Sequence, residues 1–136
     1  MLDLKLIREQ PELIRDSLRK RHMEGAVVDQ ILAQDELRRT LILEVEAKKA
    51  ERNAVSKEIG RMKDAAERQE KINAMRELGD SISALDERLK VVEAELHQTI
   101  AGLPNIPDPD VPVGVDDKDN IVVRTIGEKP VYDFEP

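Results

Sequence analysis

Between Leu41 and Leu96, mostly apolar residues recur every three or four positions. This spacing keeps one side of an α-helix against a partner helix. In the first half of this stretch the repeat passes through Leu41, Val45, Lys48, Arg52, Val55, Ile59 and Met62. In the second half it passes through Ile72, Met75, Leu78, Ile82, Leu85, Leu89, Val92 and Leu96. Steps that alternate between three and four residues are typical of the seam of a coiled coil. The pattern therefore predicts two long helices packed along a narrow seam.

The two halves of the seam mirror each other about residue 67, so that Ile59 would face Met75 and Leu41 would face Val92. A single reflection point predicts an antiparallel hairpin within one chain, whereas a parallel dimer would not require it. The first helix should run from about residue 28 to residue 62, a length of roughly 50 Å. We place the tip at residues 63–71, a segment that is either partly helical or mobile and whose turn the sequence does not locate. The return helix should begin at residues 67–69 and end at Gly102.

Composition supports a thin core rather than a thick one. The 136 residues are 38% charged and 1% aromatic, with no Trp and no Cys. The absence of cysteine excludes disulfides and thiolate zinc sites, and it suits a cytoplasmic protein. No apolar run approaches the roughly 20 residues that span a bilayer, so we expect no membrane partner. The predicted fold class is predominantly all-α, a long antiparallel two-helix coiled-coil hairpin with a short N-terminal helical base and a small C-terminal extended or β segment.

The chain divides into a helical arm, residues 1–103, and a connector rich in proline and aspartate, residues 104–136. Within the arm, residues 1–27 form the base and residues 28–102 the hairpin. In the base, Asp3 should cap a short helical turn and Pro11 should open a helix whose apolar face carries Ile14 and Leu18. In the connector, residues 121–126 read as one strand and residues 131–134 as a possible second strand.

Charge is distributed unevenly along the chain. The net charge is −7, yet residues 48–76 contain nine Lys or Arg and five Asp or Glu, a local charge of +4 that leaves −11 elsewhere. A basic far half on an acidic body favours contact with a polyanion. The same count is compatible with a solvated helix pair held by mixed salt bridges. Lys48 and Arg52 within the seam either set its register or contact a ligand, and Arg52 could pair with Asp86 or another carboxylate on the return arm.

Residue patterns for catalysis are missing. His22 and His97 are isolated and read as surface helix residues, and no Gly-rich phosphate loop or Ser/His/Asp order is present. Arg19, Lys20 and Arg21 read as cations that suit a helix C-terminus. Alone, this chain should have no catalytic residues, no metal site and no enzyme activity.

Four stretches in order resemble the amino-terminal region of bacterial seryl-tRNA synthetase, a class II aminoacyl-tRNA synthetase. They are residues 1–15 (MLDLKLIREQPELIR), residues 50–60 (AERNAVSKEIG), residues 103–114 (LPNIPDPDVPVG), and the run of Asp119, Asn120, Arg124, Gly127, Pro130 and Phe134-Glu135-Pro136. Each motif alone is weak, but four at the right spacing are specific. Asp108 and Ile126 depart from the family pattern, which commonly has His and Trp at these positions.

The resemblance implies a tRNA-binding arm that contacts the long variable arm and the TΨC side of serine tRNA by shape and backbone. It implies a parent ligase that attaches serine to tRNA with ATP and Mg²⁺ in a catalytic domain that would follow this chain. It also implies a homodimeric parent with a monomeric isolated arm. No cofactor is expected in this chain.

The residues expected to contact RNA are mainly cations of the far half of the hairpin. They are Lys48, Lys49, Arg52, Asn53, Ser56, Lys57, Arg61, Lys63, Arg68, Lys71 and Arg76. Arg52, Asn53 and Lys57 lie inside the family motif and rank first. The alternative is a coiled-coil module that binds protein and has no RNA role.

Overall fold

The computed structural model describes residues 1–128, 130–131 and 133–134. In this part of the chain the helices are α1 (Leu4–Glu9), α2 (Pro11–Arg19), α3 (Ala26–Ile59) and α4 (Ala65–Ala101), followed by a 3₁₀ turn at Asp117–Asp119. The 34 residues of α3 and the 37 residues of α4 pack side by side. They correspond to rods of about 50 and 55 Å. The predicted helical hairpin is therefore confirmed.

The predicted seam is the surface along which α3 and α4 meet. Every seam position is buried or half-buried. Leu41, Val45, Ile82, Val92 and Leu96 are buried, and the positions nearer the tip are half-buried. Ion pairs join Arg38 to Glu93, Lys49 to Asp86 and Glu58 to Lys71. Because residue numbers rise on α3 as they fall on α4, the two arms are antiparallel.

The base of the hairpin holds the thickest core, because all four helices meet there. This core consists of Ile7, Ile14, Leu18, Val28, Ile31, Leu96, Ile100 and Leu103. The Asp3 side chain accepts a hydrogen bond of 2.8 Å from the Lys5 backbone N–H, and Pro11 occupies the first turn of α2. Both predicted helix starts are confirmed. The same contacts fix the arm to α1 and α2.

The structure locates the turn at the tip, and only the start of α4 differs from the prediction. The turn spans residues 60–64, and α4 already begins at Ala65 instead of residues 67–69, so most of the predicted tip is helical. The cause is Asp64, whose side chain accepts hydrogen bonds from the backbone N–H groups of Ala66 (2.8 Å) and Glu67 (3.0 Å). An aspartate that satisfies these otherwise unpaired donors starts a helix at once.

The predicted strand at residues 121–126 is wrong. The segment is not paired with any other described segment, and its side chains are exposed, with Val123 at 96%. A strand requires a neighbour to satisfy its backbone groups, and none of the described segments offers one. The possible second strand includes Tyr132, which lies outside the described residues, as do Lys129, Glu135 and Pro136. Its described residues, 131, 133 and 134, are not in a strand.

The first part of the connector is held against the base. Ile106 packs on the core, and the Arg21 guanidinium donates a hydrogen bond of 3.0 Å to the Asn105 carbonyl. His22 is not the surface helix residue that we expected. It lies in a turn with a φ of 56°, and its Nε2 is 3.1 Å from the Gly114 carbonyl oxygen. The division of the chain after residue 103 stays a prediction.

No helix in the described ranges is long and apolar enough to cross a membrane.

Candidate nucleic-acid interface

The structure distributes the predicted RNA-contacting residues over three neighbouring segments at the outer end of the arm. Six lie on the last four turns of α3, namely Lys48, Lys49, Arg52, Asn53, Ser56 and Lys57. Arg61 and Lys63 lie in the turn, and Arg68, Lys71 and Arg76 lie on the first turns of α4. The hairpin thus collects all eleven residues at one end of a rod, far from the core of the base.

Two of the predicted cations are engaged by carboxylates of the opposite arm. Lys49 Nζ lies 3.0 Å from an oxygen of Asp86, and Lys71 forms an ion pair with Glu58. The remaining cations form no ion pair with any described residue, and they are Lys48, Arg52, Lys57, Arg61, Lys63, Arg68 and Arg76. Unpaired cations are the ones that can exchange their counterions for the phosphates of a nucleic acid.

The expected partner of Arg52 has to be corrected. Asp86 pairs with Lys49, which lies one helical turn before Arg52, and no other described carboxylate lies within ion-pair distance of Arg52. Lys49 flanks the seam on the edge where Asp86 also lies, whereas Arg52 occupies the seam itself opposite apolar residues. Arg52 is half-buried and keeps its charge unpaired, because its stem can cover the seam while its guanidinium reaches water.

The pair between Lys71 and Glu58 changes the acidity of the carboxyl group. The hydrogen bond from Lys71, reinforced by its positive charge, holds the pKa of Glu58 below its usual value. Glu58 therefore stays ionised at neutral pH, and its carboxylate forms an ion pair with the Lys71 ammonium group. Lys71 is accordingly a weaker candidate for RNA contact than the sequence indicated.

Gly79 lies on α4 opposite the last turns of α3. A Cβ atom built on Gly79 would have no neighbour within 4 Å. The two helices therefore do not approach each other closely at Gly79, so close helix packing does not explain the glycine. Two explanations remain: the helix tolerates a glycine at this position, or the backbone of a partner molecule approaches it.

One charged cluster was missed by the sequence argument. Asp35 on α3 is 1% exposed, and its carboxylate lies 3.3 Å from Arg8, 3.2 Å from Arg39 and 3.5 Å from Arg38. The bond to Arg8 connects α1 to the arm. A signal was present, since Asp35 continues the three-and-four spacing of Val28 and Ile31 into the seam. This cluster positions the arm on its base and lies away from the basic tip.

No group of three or more His, Cys, Asp or Glu side chains in residues 1–128, 130–131 and 133–134 is arranged to hold a metal ion. A groove of about 490 Å³ opens at the base between the N-terminus and α4, with Leu2, Arg38, Leu96 and His97 among its lining residues. Its lining mixes apolar side chains with Asp3, Arg38, Glu93 and His97, and it contains none of the predicted RNA-contacting residues.

A sequence profile described as the seryl-tRNA synthetase N-terminal domain matches residues 1–107. The chain is 58% identical over 134 residues to the serine–tRNA ligase of Chloroflexus aurantiacus, covering 98% of this chain and 32% of the relative. It is 50% identical over 136 residues to that of a Roseiflexus species, covering 100% and 32%. The chain thus spans about a third of the length of these curated relatives.

Solved structures show the same fold. A seryl-tRNA synthetase from Pyrococcus horikoshii, crystallised with ATP, superposes with a TM-score of 0.82 at 38% identity and covers 89% of this chain and 28% of that one. The cytoplasmic serine–tRNA ligase of Naegleria fowleri, crystallised with AMP, gives a TM-score of 0.76 at 27% identity, with coverage of 94% and 28%.

Proposed function

Because this chain belongs to the seryl-tRNA synthetase N-terminal domain family, we propose that it is the tRNA-binding arm of a serine–tRNA ligase. The observation that carries the proposal is the set of unpaired cations at the outer end of a rigid two-helix rod. A rod of about 50 Å can reach along an RNA helix while its base stays fixed elsewhere.

The chemistry of the tip suits recognition by shape and backbone. Double-stranded RNA has a deep, narrow major groove that side chains cannot read, so proteins recognise its phosphates, its 2′-hydroxyls and its shape. Arg52, Lys57 and Arg61 would bind phosphates, and Asn53 and Ser56 would donate hydrogen bonds to phosphate or ribose oxygens. The proposed target is serine tRNA, and the proposed contacts are its long variable arm and its TΨC side.

The activity proposed for the whole protein is the ATP-dependent attachment of serine to tRNA. ATP and Mg²⁺ would bind to other parts of that protein. We also propose a homodimeric, cytoplasmic parent and a monomeric isolated arm, which light scattering on this chain and on the full protein would test.

A protein-interaction module is the second candidate, and two exposed apolar side chains favour it. Leu43 on α3 is 67% exposed and Val91 on α4 is 56% exposed. Single exposed apolar residues are common on soluble proteins, however, and these two lie nearer the base than most of the basic residues. The RNA proposal explains the excess of cations at the tip, which the alternative leaves without a role.

The test removes three cations from the tip at once. We expect the combined variant Arg52→Ala, Lys57→Ala and Arg61→Ala to bind serine tRNA at least about ten-fold more weakly at low salt, with a smaller salt dependence. Its helical circular dichroism should equal that of the parent chain, because none of the three residues forms an ion pair with a described residue.

A matched control removes three cations of the same total charge far from the tip, by Lys5→Ala, Lys20→Ala and Lys118→Ala. This control should retain most of the affinity. Equal losses in both variants, or no loss in either, would contradict the proposal. A tip variant that loses helix content would show that the cations are structural.

A further inference from the structure

Asp35 lies at the root of the arm, where the four-helix base gives way to the two-helix hairpin. The buried residues of the base core on α3 are Val28 and Ile31, and Asp35 follows one turn further out. Its side chain is buried, so a carboxylate is enclosed at the point where the apolar core of the base ends. A buried carboxylate needs charged or hydrogen-bonding partners, and the location of those partners decides which helices it joins.

The partners of Asp35 divide into two local residues and a distant one. Arg38 and Arg39 follow Asp35 on the same helix, with nitrogen–oxygen distances of 3.5 and 3.2 Å, so these pairs stay within α3. Arg8 lies on α1, and its Nη1 is 3.3 Å from the same carboxylate. Among the described residues, Arg8 therefore forms the one ion pair that joins α1 to the arm.

Packing alone holds α1 loosely at this level. The helix has only six residues, and Ile7 is its one buried side chain. On the side towards α4, a groove of about 490 Å³ opens between residues 1–4 and α4, beside Arg38 and Glu93. Apolar contacts are non-directional, so a short helix held mainly by them can tilt. The ion pair from Arg8 to Asp35 gives α1 a second attachment to α3, beyond the apolar core.

A tilt at the root is amplified at the tip of the arm. Ile59 ends α3 about 24 residues beyond Asp35, roughly 36 Å along the helix. A rotation of about 10° at the root would displace the end of α3 by about 6 Å, which is the lever length multiplied by the angle. Misplacement of reacting groups by about 1 Å can already cost a reaction about 10²-fold. The direction of the arm thus matters for any RNA that is held at both the tip and the rest of the protein.

We propose that Arg8 is a positioning residue for tRNA, because its ion pair with Asp35 sets the direction in which the arm leaves its base. This inference rests on the proposed function and goes beyond it, since Arg8 lies on the base and would not touch RNA at the tip. The pair acts in the whole ligase, where one tRNA has to meet the arm and the catalytic part together. In the isolated chain, the tip can bind RNA at any angle to the base.

Arg8→Gln and Arg39→Gln form a matched pair of variants, because each removes one arginine from the same carboxylate. Arg8→Gln breaks a link between helices, whereas Arg39→Gln breaks a pair within α3. Both arginine side chains are more than a third exposed, so neither replacement opens the core. Arg8→Lys, which retains the positive charge, is the conservative variant.

Three measurements are made on each variant. Aminoacylation by the parent ligase gives the KM values for serine tRNA and for serine. Filter binding gives the affinity of this chain alone for serine tRNA. Because the chain has no cysteine, spin labels introduced at Gln10→Cys on the base and Ala66→Cys at the tip report the base-to-tip distance distribution by double electron–electron resonance.

For Arg8→Gln we expect the KM for serine tRNA to rise at least about five-fold in the parent ligase, with the KM for serine unchanged. The affinity of the chain alone should stay the same, and the base-to-tip distance distribution should broaden. Arg39→Gln should match the unaltered protein in all three measurements, and Arg8→Lys should restore most of the KM for tRNA.

Equal KM values for tRNA in Arg8→Gln and Arg39→Gln, or an unchanged distance distribution in Arg8→Gln, would overturn the positioning role. A loss of helical circular dichroism in Arg8→Gln, or a joint rise of the KM values for tRNA and serine, would assign Arg8 to stability and would also overturn it. If the unaltered chain itself failed to bind serine tRNA, the proposed function would fall instead.

Discussion

The ammonium group of Lys49 lies 3.0 Å from one carboxylate oxygen of Asp86 and 3.1 Å from the other. This pair ties the two arms together at the point where the basic part of the hairpin begins. It also engages a lysine that we propose as a contact to RNA. Under that proposal, stability and RNA contact compete at a single ion pair.

Replacing Asp86 should separate these two roles. Asp86→Asn frees Lys49 from its carboxylate partner, so we expect the affinity for serine tRNA to rise about two- to ten-fold at low salt. The free energy of unfolding should fall by about 1 kcal/mol at most, since both side chains are more than a third exposed. Filter binding and urea denaturation measure the two effects. Asp80→Asn is the control, and an affinity no higher than that of the control would contradict the prediction.

The buried Asp35 should matter for stability and not directly for RNA. Its carboxylate forms ion pairs with Arg8, Arg38 and Arg39. Asp35→Asn would leave these guanidinium groups without their shared counter-charge. We expect a loss of about 2–3 kcal/mol in the free energy of unfolding, since breaking a buried ion pair leaves unpaired charges. Urea denaturation is the measurement. Glu46→Gln, an exposed position on the same helix, should change stability by less than about 0.5 kcal/mol, and similar losses in both variants would refute the role of Asp35.

Gly79 offers a substitution that should stabilise the arm. It lies inside α4, and a Cβ atom there would meet nothing within 4 Å. Gly79→Ala should therefore raise the free energy of unfolding by about 0.5–1 kcal/mol, because alanine loses less backbone freedom on forming a helix. A lowered denaturation midpoint would show that the glycine is needed for packing.

Gly114→Ala is the opposite case, since its Cβ would lie 2.4 Å from the Asp119 Cβ, and it should disrupt the 3₁₀ turn.

The pair between Glu58 and Lys71 should be visible in the pH dependence. The pKa of Glu58 is lower in the folded chain than its ordinary value of 4.5, chiefly because Lys71 donates a hydrogen bond to it. The pair therefore stabilises the tip above the unfolded pKa, and this contribution is lost as the pH falls through the folded pKa. In an NMR titration, Lys71→Gln should return the pKa of Glu58 towards 4.5, and Lys63→Gln should not. An unchanged titration of Glu58 in the Lys71 variant would rule out the pairing in solution.

The hairpin could be predicted because side-chain periodicity reports directly on helix packing. The seam from Leu41 to Leu96 required only apolar spacing, and the structure buries or half-buries every position in it. The sequence also contains a signal for the start of α4, since Asp64 followed by Glu67 is a helix-capping pattern. The prediction nevertheless placed the start two to four residues too late, because no Gly or Pro near residue 67 marks the turn.

Ion-pair partners were less accessible to sequence reasoning. Lys49 and Arg52 lie one turn apart, both have long side chains, and a rotation of a few tens of degrees decides which of them reaches Asp86. The segment at residues 121–126 has the composition of a strand, but composition cannot supply the neighbouring strand that its backbone requires. The RNA-contacting residues remain predictions for a related reason, because their contacts depend on a partner.

The most direct test of the central claim compares two RNA ligands. The affinity of the chain is measured for serine tRNA and for the same tRNA without its long variable arm, each at a low and a moderate salt concentration. We predict tighter binding of the complete tRNA at both salt concentrations, with both affinities falling as salt rises. Equal affinities for the two RNAs, or no binding to either at low salt, would contradict the account.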